Sequence, residues 1–239
     1  MAETFPTTNE TRLGTVTGGV VSCFGPKSRS CIPDRLATTW SMPSTRNWRR
    51  RHRRYAPPPP RYEFIPEAWR DFAYTDRPLP IGDGQTIRAP SIVAEMCDHP
   101  ALTAGDRTLE IGTGCGYHAP VTAEIVGADN VYTVEIDAGL AETARDRLSD
   151  LEYGDVSVRV GDGREGWPEY APYDKAYLTC ADRQIPGQIV EQTCVGGLML
   201  APIGLADQRL VLAKKRDDGL LERLDCGPVQ FVTMQGADV

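Results

Sequence analysis

The sequence predicts an α/β fold built around a mostly parallel, doubly wound sheet. Two observations lead to this prediction. Short apolar runs alternate with helical patterns from Arg107 onward, and a glycine-rich turn follows the first of these runs at residues 112–116. Strands that alternate with helices pair in parallel, because each helix carries the chain back over the sheet. The 239 residues, of which 41% are hydrophobic, suffice for one such domain with an appendage.

Each element has its own pattern. The first five strands are short apolar runs, at 108–111, 131–135, 156–160, 176–179 and 198–201. The helices between them have an apolar face at helical spacing, at 118–126, 140–151 and 186–194. Two further strands, 210–214 and 229–232, flank the polar turn at 216–219, which predicts an antiparallel last strand.

The stretch before the first strand predicts a mainly irregular entry to the domain. Glu67–Phe72 is predicted as a short helix that follows Pro66. Residues 74–90 are rich in proline and glycine, which predicts a loop with fixed turns. Long ordered loops in compact domains are usually functional. Pro90 is placed where a helix can begin.

Residues 1–60 do not have the pattern of a folded domain. They are rich in Thr, Ser, Gly and Pro, and carry 10 Lys and Arg against 3 Asp and Glu. The basic run at 49–54 is followed by four prolines. A disordered leader is the favoured interpretation, with residues upstream of the true start of translation or a nucleic-acid-binding or partner-binding arm as alternatives. The folded domain is then expected at 61–239.

Composition excludes several classes of function. The chain has a net charge of −7, so residues 61–239 carry −14, which argues against general nucleic-acid binding. No apolar run is long enough to span a bilayer, and no secretion signal is evident, so we expect a cytoplasmic protein without a membrane partner. The seven cysteines form no Cys-x-x-Cys pair and have no ligand spacing with histidine, so no metal site is expected. We also expect a monomer.

Acidic residues and glycines stand at the ends of three predicted strands. Glu110 precedes the glycine turn, Glu135 ends the second strand, and Asp162 with Gly163 follows the third. Ligands of such sheets bind at the carboxyl ends of the strands. Each acid alone is more often a capping or surface residue. Together they predict a nucleoside ligand, with Glu135 accepting hydrogen bonds from ribose hydroxyls and Asp162 with Gly163 at the adenine.

The spacing of the glycine turn separates two nucleoside ligands. A dinucleotide site has Gly-x-Gly-x-x-Gly, which exposes a helix N-terminus to a pyrophosphate. Here Gly112, Gly114 and Gly116 alternate, and Tyr117 stands where the last glycine of that motif would fall. S-adenosylmethionine has no phosphate and carries a sulfonium cation, which suits Glu110. The sequence therefore predicts S-adenosylmethionine as the cofactor.

Longer motifs show a family resemblance. From about Pro60 to its end the chain resembles the protein-L-isoaspartate O-methyltransferase family, S-adenosylmethionine-dependent enzymes with a Rossmann-like fold. The most specific motif is Pro-Leu-Pro-Ile-Gly followed by Gln-Thr-Ile, at 78–87. The other matching segments are 110–117, 158–163, 166–168, 196–197 and 202–204. The resemblance implies methyl transfer to the free carboxylate of L-isoaspartyl residues in damaged peptides and proteins, which is a repair reaction.

The resemblance also implies roles for individual residues. It places Gln85–Arg88 over the cofactor and the substrate carboxylate, with Thr86 and Arg88 as the catalytic pair. Residues 179–185 would border the substrate pocket. The implied cofactor-binding residues are Gln85, Ile87, Glu110, Gly112, Gly114, Glu135, Asp162 and Gly163.

Two positions depart from the family pattern. Arg88 replaces the serine that the family has after Thr-Ile, and residues 180–183 replace its usual small residues and proline. Arg88 can hold a carboxylate, fill the pocket, reduce the nucleophilicity of the acceptor or turn to solvent, and we expect Asp182 to pair with it. The alternatives to repair are a non-catalytic homologue that binds S-adenosylmethionine or peptides, and a methyltransferase for another carboxylate.

Overall fold

The computed structural model describes residues 59–82 and 84–236. The predictions for the basic leader, apart from its last two residues, therefore lie outside the described residues. Two short 3-10 helices, Arg61–Phe64 and Glu67–Phe72, lead into the domain. A small antiparallel hairpin then precedes the central sheet.

The elements follow the predicted α/β alternation. The hairpin consists of β1 (Leu79–Gly82) and β2 (Gln85–Ile87). The sheet strands are β3 (Thr108–Ile111), β4 (Val131–Glu135), β5 (Ser157–Val160), β6 (Tyr173–Leu178), β7 (Thr193–Ile203), β8 (Arg209–Lys215) and β9 (Leu221–Pro228). The α-helices are α1 (Pro90–Asp98), α2 (His118–Val126), α3 (Ala138–Asp150) and α4 (Gly187–Gln192).

The sheet is doubly wound. Its strand order is β5-β4-β3-β6-β7-β8-β9, and the five strands from β5 to β7 pair in parallel. β8 is antiparallel to β7, and β9 is antiparallel to β8. The chain moves outward from β3 to β5 and then returns to place β6 on the other side of β3. This reversal between β3 and β6 is where a ligand crevice forms in such sheets.

The central strands are buried on both faces. All four residues of β3 and all five of β4 are buried, as expected for parallel strands covered by helices. Alternate residues of β3 face opposite layers, because side chains alternate along a strand. Leu109 and Ile111 pack in the cluster that contains Ile189 of α4. Glu110 therefore faces the other layer, which contains His118 of α2.

The structure corrects two elements. The predicted last strand at 229–232 is wrong, because β9 ends at Pro228. β9 is an edge strand with mostly exposed or half-buried side chains, so it lacks the apolar run by which the sequence identifies a strand. The proline-rich and glycine-rich segment at 74–90 contains the β1–β2 hairpin and not only turns. Among the described helices, none is long and apolar enough to cross a membrane.

Candidate active site

A cleft opens at the carboxyl ends of β3, β4 and β6, at the point where the strand order reverses. The glycine turn after β3 lies at one side of the cleft, and β2 with Arg88 lies over it. The predicted site residues that line the cleft are Gln85, Thr86, Ile87, Arg88, Glu110, Gly112, Gly114, Glu135 and Gly163. The fold thus brings residues from four separate parts of the chain to one place.

Gly112 allows the turn to pass close to β6. Its φ is +94°, and a Cβ atom there would lie 2.3 Å from Oγ1 of Thr179. That hydroxyl donates to the carbonyl oxygens of Ile111 and Gly112, at 3.1 and 2.6 Å. The Gly112 N–H donates to the carbonyl oxygen of Val134 in β4. The turn is therefore held from both neighbouring strands, and only glycine meets the backbone and space requirements.

Glu110 is a fully buried acid in the wall of the cleft. Its relative exposure is 0%, and neither carboxylate oxygen has a hydrogen-bond partner among the described residues. Burial raises the pKa of Glu110 to about 8, and the nearby charge of Glu135 adds to the rise. The hydroxyls of Thr133 and Tyr177 lie close enough to oppose the rise, but their own hydrogen bonds are to Thr113 and Thr122. A buried carboxylate without a partner is costly. The arrangement is suited to a cationic ligand.

His118 is a cleft residue that sequence reasoning missed. Its Nδ1 atom lies 4.0 Å from Oε1 of Glu110, and its ring lies 4.4 Å from that of Tyr177. Burial lowers the pKa of His118 to about 3, so the ring is neutral at physiological pH. The two side chains do not form an ion pair at that pH. The only sequence signal was its position directly after the glycine turn, at the start of α2.

Glu135 is fixed by backbone amides. One carboxylate oxygen accepts from the N–H of Gly114 at 2.8 Å, and the other accepts from Ile136 and Asp137 at 3.0 and 3.1 Å. The carboxylate therefore joins the end of β4 to the glycine turn. A carboxylate has about four lone-pair sites, so it can still accept from a ligand hydroxyl.

Asp162 and Gly163 are at the end of β5. Gly163 is buried in the cleft wall, and a Cβ atom there would lie 2.3 Å from Cγ2 of Ile111. Asp162 accepts from the N–H of Arg164 at 2.8 Å and so caps the following 3-10 turn. The Asp162 side chain lies beside the cleft and does not line it.

Arg88 faces the cleft and is half-buried. One guanidinium nitrogen donates to the carbonyl oxygen of Gln230 at 3.2 Å, and the guanidinium carbon lies 4.4 Å from the ring centre of Phe231. No carboxylate among residues 59–82 and 84–236 pairs with it. Burial lowers the pKa of Arg88, but arginine stays charged in proteins. Cys180, beside it, is neutral, because burial raises the pKa of its thiol to about 12.

The predicted pair between Arg88 and Asp182 is wrong. Asp182 pairs with Arg164, whose Nε atom lies 3.1 Å from Oδ2 of the aspartate. The backbone of Asp182 is hydrogen-bonded to Pro202 and Gly204 at the end of β7, which fixes the loop in place. Arg88 is thus left as a cation without an acidic partner in the described part of the chain.

The C-terminal segment, residues 229–236, supplies a wall of the cleft that the sequence did not predict. Val232, Thr233, Met234 and Gln235 line the cleft. The segment returns along the carboxyl end of β6, where the backbone groups of Val232 and Met234 pair with those of Ala181. Its apolar residues predict a sheet strand, because no sequence signal distinguishes a strand from a segment that lines the cleft.

Comparison with known proteins identifies the family. The profile of the protein-L-isoaspartate(D-aspartate) O-methyltransferase family matches residues 58–238. The chain belongs to this family. A protein-L-isoaspartate O-methyltransferase of Archaeoglobus fulgidus is 48% identical over 178 residues, which cover 74% of this chain and 81% of the relative.

Solved structures support the same relationship. A protein-L-isoaspartate O-methyltransferase structure is 32% identical to this chain, with a TM-score of 0.70 over 74% of this chain and 59% of that one. A Plasmodium falciparum structure in complex with S-adenosyl-L-homocysteine is 20% identical, with a TM-score of 0.65 over 73% of this chain and 85% of that one. At that identity it shows the fold alone.

S-adenosylmethionine is the cofactor of this methyltransferase family, and the cleft fits it. The buried Glu110 carboxyl group, which has no hydrogen-bond partner among the described residues, suits the sulfonium cation of S-adenosylmethionine. The alternating glycine turn lacks the spacing of a pyrophosphate site, which agrees with a cofactor that has no phosphate. Among the described residues, no group of three or more His, Cys, Asp or Glu side chains could hold a metal ion.

Proposed function

We propose that this protein transfers a methyl group from S-adenosylmethionine to the free carboxylate of L-isoaspartyl residues in damaged proteins. The observation that carries the proposal is the presence, in one cleft, of a buried acid without a partner and a cleft-facing arginine without an acidic partner among the described residues. Glu110, once ionised, suits a cationic methyl donor, and the Arg88 cation suits an anionic acceptor. Membership of the family supports the same reaction.

The cofactor half of the site is formed by β3, β4 and β5. Glu110 meets the positive charge of the methionine part, with Gly112 and Gly114 giving the backbone a close approach. Glu135 accepts from a ribose hydroxyl through the lone-pair site, about one in number, that its three backbone contacts leave free. Asp162 and Gly163 border the adenine, and Gln85 and Ile87 cover the cofactor from β2.

The acceptor half is formed by Arg88 and Thr86. A guanidinium has five N–H donors, of which the described contacts of Arg88 use one. The Phe231 ring, 4.4 Å from the guanidinium carbon, and the hydrogen bond to Gln230 restrain the group, and its remaining N–H donors can hold the acceptor carboxylate through two parallel bonds. Thr86, half-buried in the same cleft, adds a hydroxyl at the acceptor side.

The chemistry places few demands on the side chains. When bound, S-adenosylmethionine supplies a methyl group on a positively charged sulfur. The acceptor carboxylate, which Arg88 and Thr86 would hold, would receive that methyl group directly, and the neutral thioether would be the leaving group. No proton moves, so no general base is required. The protein contributes mainly by positioning, which can supply a large share of a rate enhancement.

The remaining parts of the proposal concern the whole protein. We infer that residues 61–239 form the methyltransferase domain and that the protein acts as a cytoplasmic monomer. Its partners are then peptides and proteins that contain isoaspartyl residues, with no nucleic acid or membrane involved. The acidic charge of this part of the chain supports the exclusion of nucleic acid.

The role of Arg88 is tested by kinetics on an isoaspartyl peptide. Arg88→Met keeps the length of the side chain but removes charge and donors. We expect it to raise the peptide KM by about 10-fold to 100-fold, because charge-assisted hydrogen bonds contribute roughly 1.5–3 kcal/mol. The Kd for S-adenosylmethionine, measured by calorimetry, should change less than about threefold. Arg88→Lys keeps the positive charge but not the planar set of paired N–H donors, so it should raise the peptide KM less than Arg88→Met does.

Two outcomes would overturn this account of Arg88. An unchanged peptide KM in Arg88→Met would show that the guanidinium does not hold the acceptor. An inactive wild type beside an active Arg88→Ser variant would show that Arg88 blocks the site. If wild-type protein bound S-adenosylmethionine and neither protein transferred methyl, the chain would be a binding module.

A further inference from the structure

Arg164 connects three parts of the cleft rim. Its Nε atom lies 3.1 Å from Oδ2 of Asp182, in the loop after β6. Its two terminal nitrogens donate to the carbonyl oxygens of Gln235 and Met234, at 3.2 and 3.4 Å. It also lies 3.9 Å from Oδ1 of Asp162, at the end of β5. One side chain therefore holds the loop after β6 and the C-terminal segment against the loop after β5.

The contacts use the shape of the guanidinium. An arginine presents several donors in one plane, whereas a lysine ammonium is a point charge that cannot reach three separated acceptors in the same way. The side chains of Arg164 and Asp182 are 29% and 18% exposed, so the pair is partly shielded from solvent. Such a pair is worth more than an exposed surface pair.

The segment that Arg164 holds is part of the cleft wall. Val232, Thr233, Met234 and Gln235 line the cleft on the side of β6, across from the residues that β4 and β5 supply. Met234 also donates its backbone N–H to Ala181 and packs in the buried cluster that contains Ile111, but the side-chain hydrogen bonds that residues 234–235 receive from the described residues come from Arg164. The position of this wall thus depends on a residue outside the cleft.

We propose that Arg164 is a positioning residue for the acceptor: by holding the C-terminal segment and Asp182, it sets the affinity for the isoaspartyl peptide while leaving cofactor affinity nearly unchanged. The inference rests on the proposed function for its substrate. Cofactor binding is spared because Asp162 keeps its 2.8 Å hydrogen bond from the main chain of Arg164, and the side-chain pair that the variant loses is longer, at 3.9 Å.

The test compares Arg164→Met and Arg164→Lys with a matched control. Arg216→Met removes an exposed Arg–Asp pair from the β8–β9 turn, at the opposite edge of the sheet. We expect Arg164→Met to raise the peptide KM by about tenfold, with kcat within about twofold and the Kd for S-adenosylmethionine within about twofold of wild type. The peptide KM of Arg164→Lys should lie between those of wild type and Arg164→Met. Asp182→Asn should raise the peptide KM less than Arg164→Met does. The control should match wild type.

Hydrogen exchange gives a readout that does not depend on turnover. The Met234 amide donates to Ala181, so we expect it to exchange faster in Arg164→Met than in wild type or the control. Unchanged exchange at Met234 would overturn the inference whether or not the protein is active. Faster exchange with a wild-type peptide KM would also overturn it, since the contact would then be structural only. Absence of methyl transfer by the wild type would instead refute the proposed function.

Discussion

At the scale of single residues, the site contains two ionisable groups, Glu110 and Arg88, that have no oppositely charged partner among the described residues. Glu110 is enclosed by Thr133 and Glu135 of β4, Tyr177 of β6 and His118 of α2, none of which is a cation at neutral pH. Its pKa of about 8 therefore means that it is largely protonated in the free protein at neutral pH. A bound cation stabilises the ionised form, so cofactor binding and loss of a proton are linked.

This linkage predicts a pH dependence of cofactor affinity. Below pH 8 a proton must leave Glu110 when the cation binds, so the Kd for S-adenosylmethionine should fall as the pH rises from 6 to 8 and level off above it. The slope attributable to Glu110 is at most about tenfold per pH unit for one proton. Calorimetry at several pH values measures it, and Glu110→Gln should show the slope of the remaining groups only. Equal slopes in both proteins would contradict the assignment.

The same group affects stability with the opposite trend. The pKa of Glu110 is raised from 4.5 in the unfolded chain to about 8 in the folded protein. The folded state then binds more protons than the unfolded state between these values, so its contribution to stability is full below pH 4.5 and is lost as the pH rises towards 8.

Sequence reasoning found the acids of the site but not their surroundings. Glu110, Glu135 and the glycine turn were predictable, because a parallel sheet brings strand ends together at one edge. The partner of Asp182 was not predictable, because Arg164 lies in the 3-10 turn after β5 and the contact depends on the path of two loops. The position of His118 after the glycine turn was too weak a signal to predict a role, since a histidine at a helix start has many ordinary explanations.

At the scale of elements, the C-terminal segment is held in place by side chains that lie far from it in sequence. Gln208 satisfies both backbone groups of Phe231: its amide nitrogen donates to the carbonyl oxygen at 2.9 Å, and its amide oxygen accepts from the N–H. Gln208 is 3% exposed and Phe231 is 4% exposed. Because Arg88 lies over the ring of Phe231, this contact joins the start of β8 to the part of the cleft that we propose holds the acceptor.

Removing this contact should weaken the fold measurably. Gln208→Met leaves two buried backbone groups of Phe231 without partners, at roughly 1–3 kcal/mol each. We therefore expect the free energy of unfolding, measured by urea titration, to fall by about 2–6 kcal/mol. Gln188→Met, at an exposed position of α4, is the matched control and should change it by less than about 0.5 kcal/mol. A similar small change in both variants would argue against the contact.

The elements show where periodicity is informative. β3, β4 and α2 were predicted at their observed limits, because buried parallel strands are continuous apolar runs and the glycine turn marks the start of the helix. β9 was missed because edge strands require little apolar character. Residues 229–232 have the apolar character of a strand because they pack against the cleft and against a buried cluster that contains Tyr177 and Leu200.

At the scale of the whole molecule, the described domain begins with a charged residue in the interior. Arg61 is 0% exposed, and its Nε atom donates to the carbonyl oxygen of Ala73. Its guanidinium lies 5.2 Å from the ring centre of Tyr117, which follows the glycine turn. The first described residues are thus linked to the cofactor side of the domain, and the family match begins at residue 58.

We therefore expect a chain of residues 59–239 to keep the fold and the cofactor site. Its Tm should lie within a few degrees of that of the full chain, and its Kd for S-adenosylmethionine should agree within about threefold. Differential scanning calorimetry and titration calorimetry measure the two quantities. A cooperative fold with lost cofactor binding would show that the first 58 residues belong to the functional domain.

The most direct test of the account is methyl transfer to one peptide of a matched pair. The peptides share a sequence and differ only in whether the chain continues through the side-chain or the main-chain carboxyl of one aspartate. After incubation with S-adenosylmethionine and the wild-type protein, mass spectrometry should find one added methyl group on the isoaspartyl peptide, at its free α-carboxylate, and none on the aspartyl peptide. Equal methylation of both peptides, or methylation of neither while the cofactor binds, would contradict the central claim.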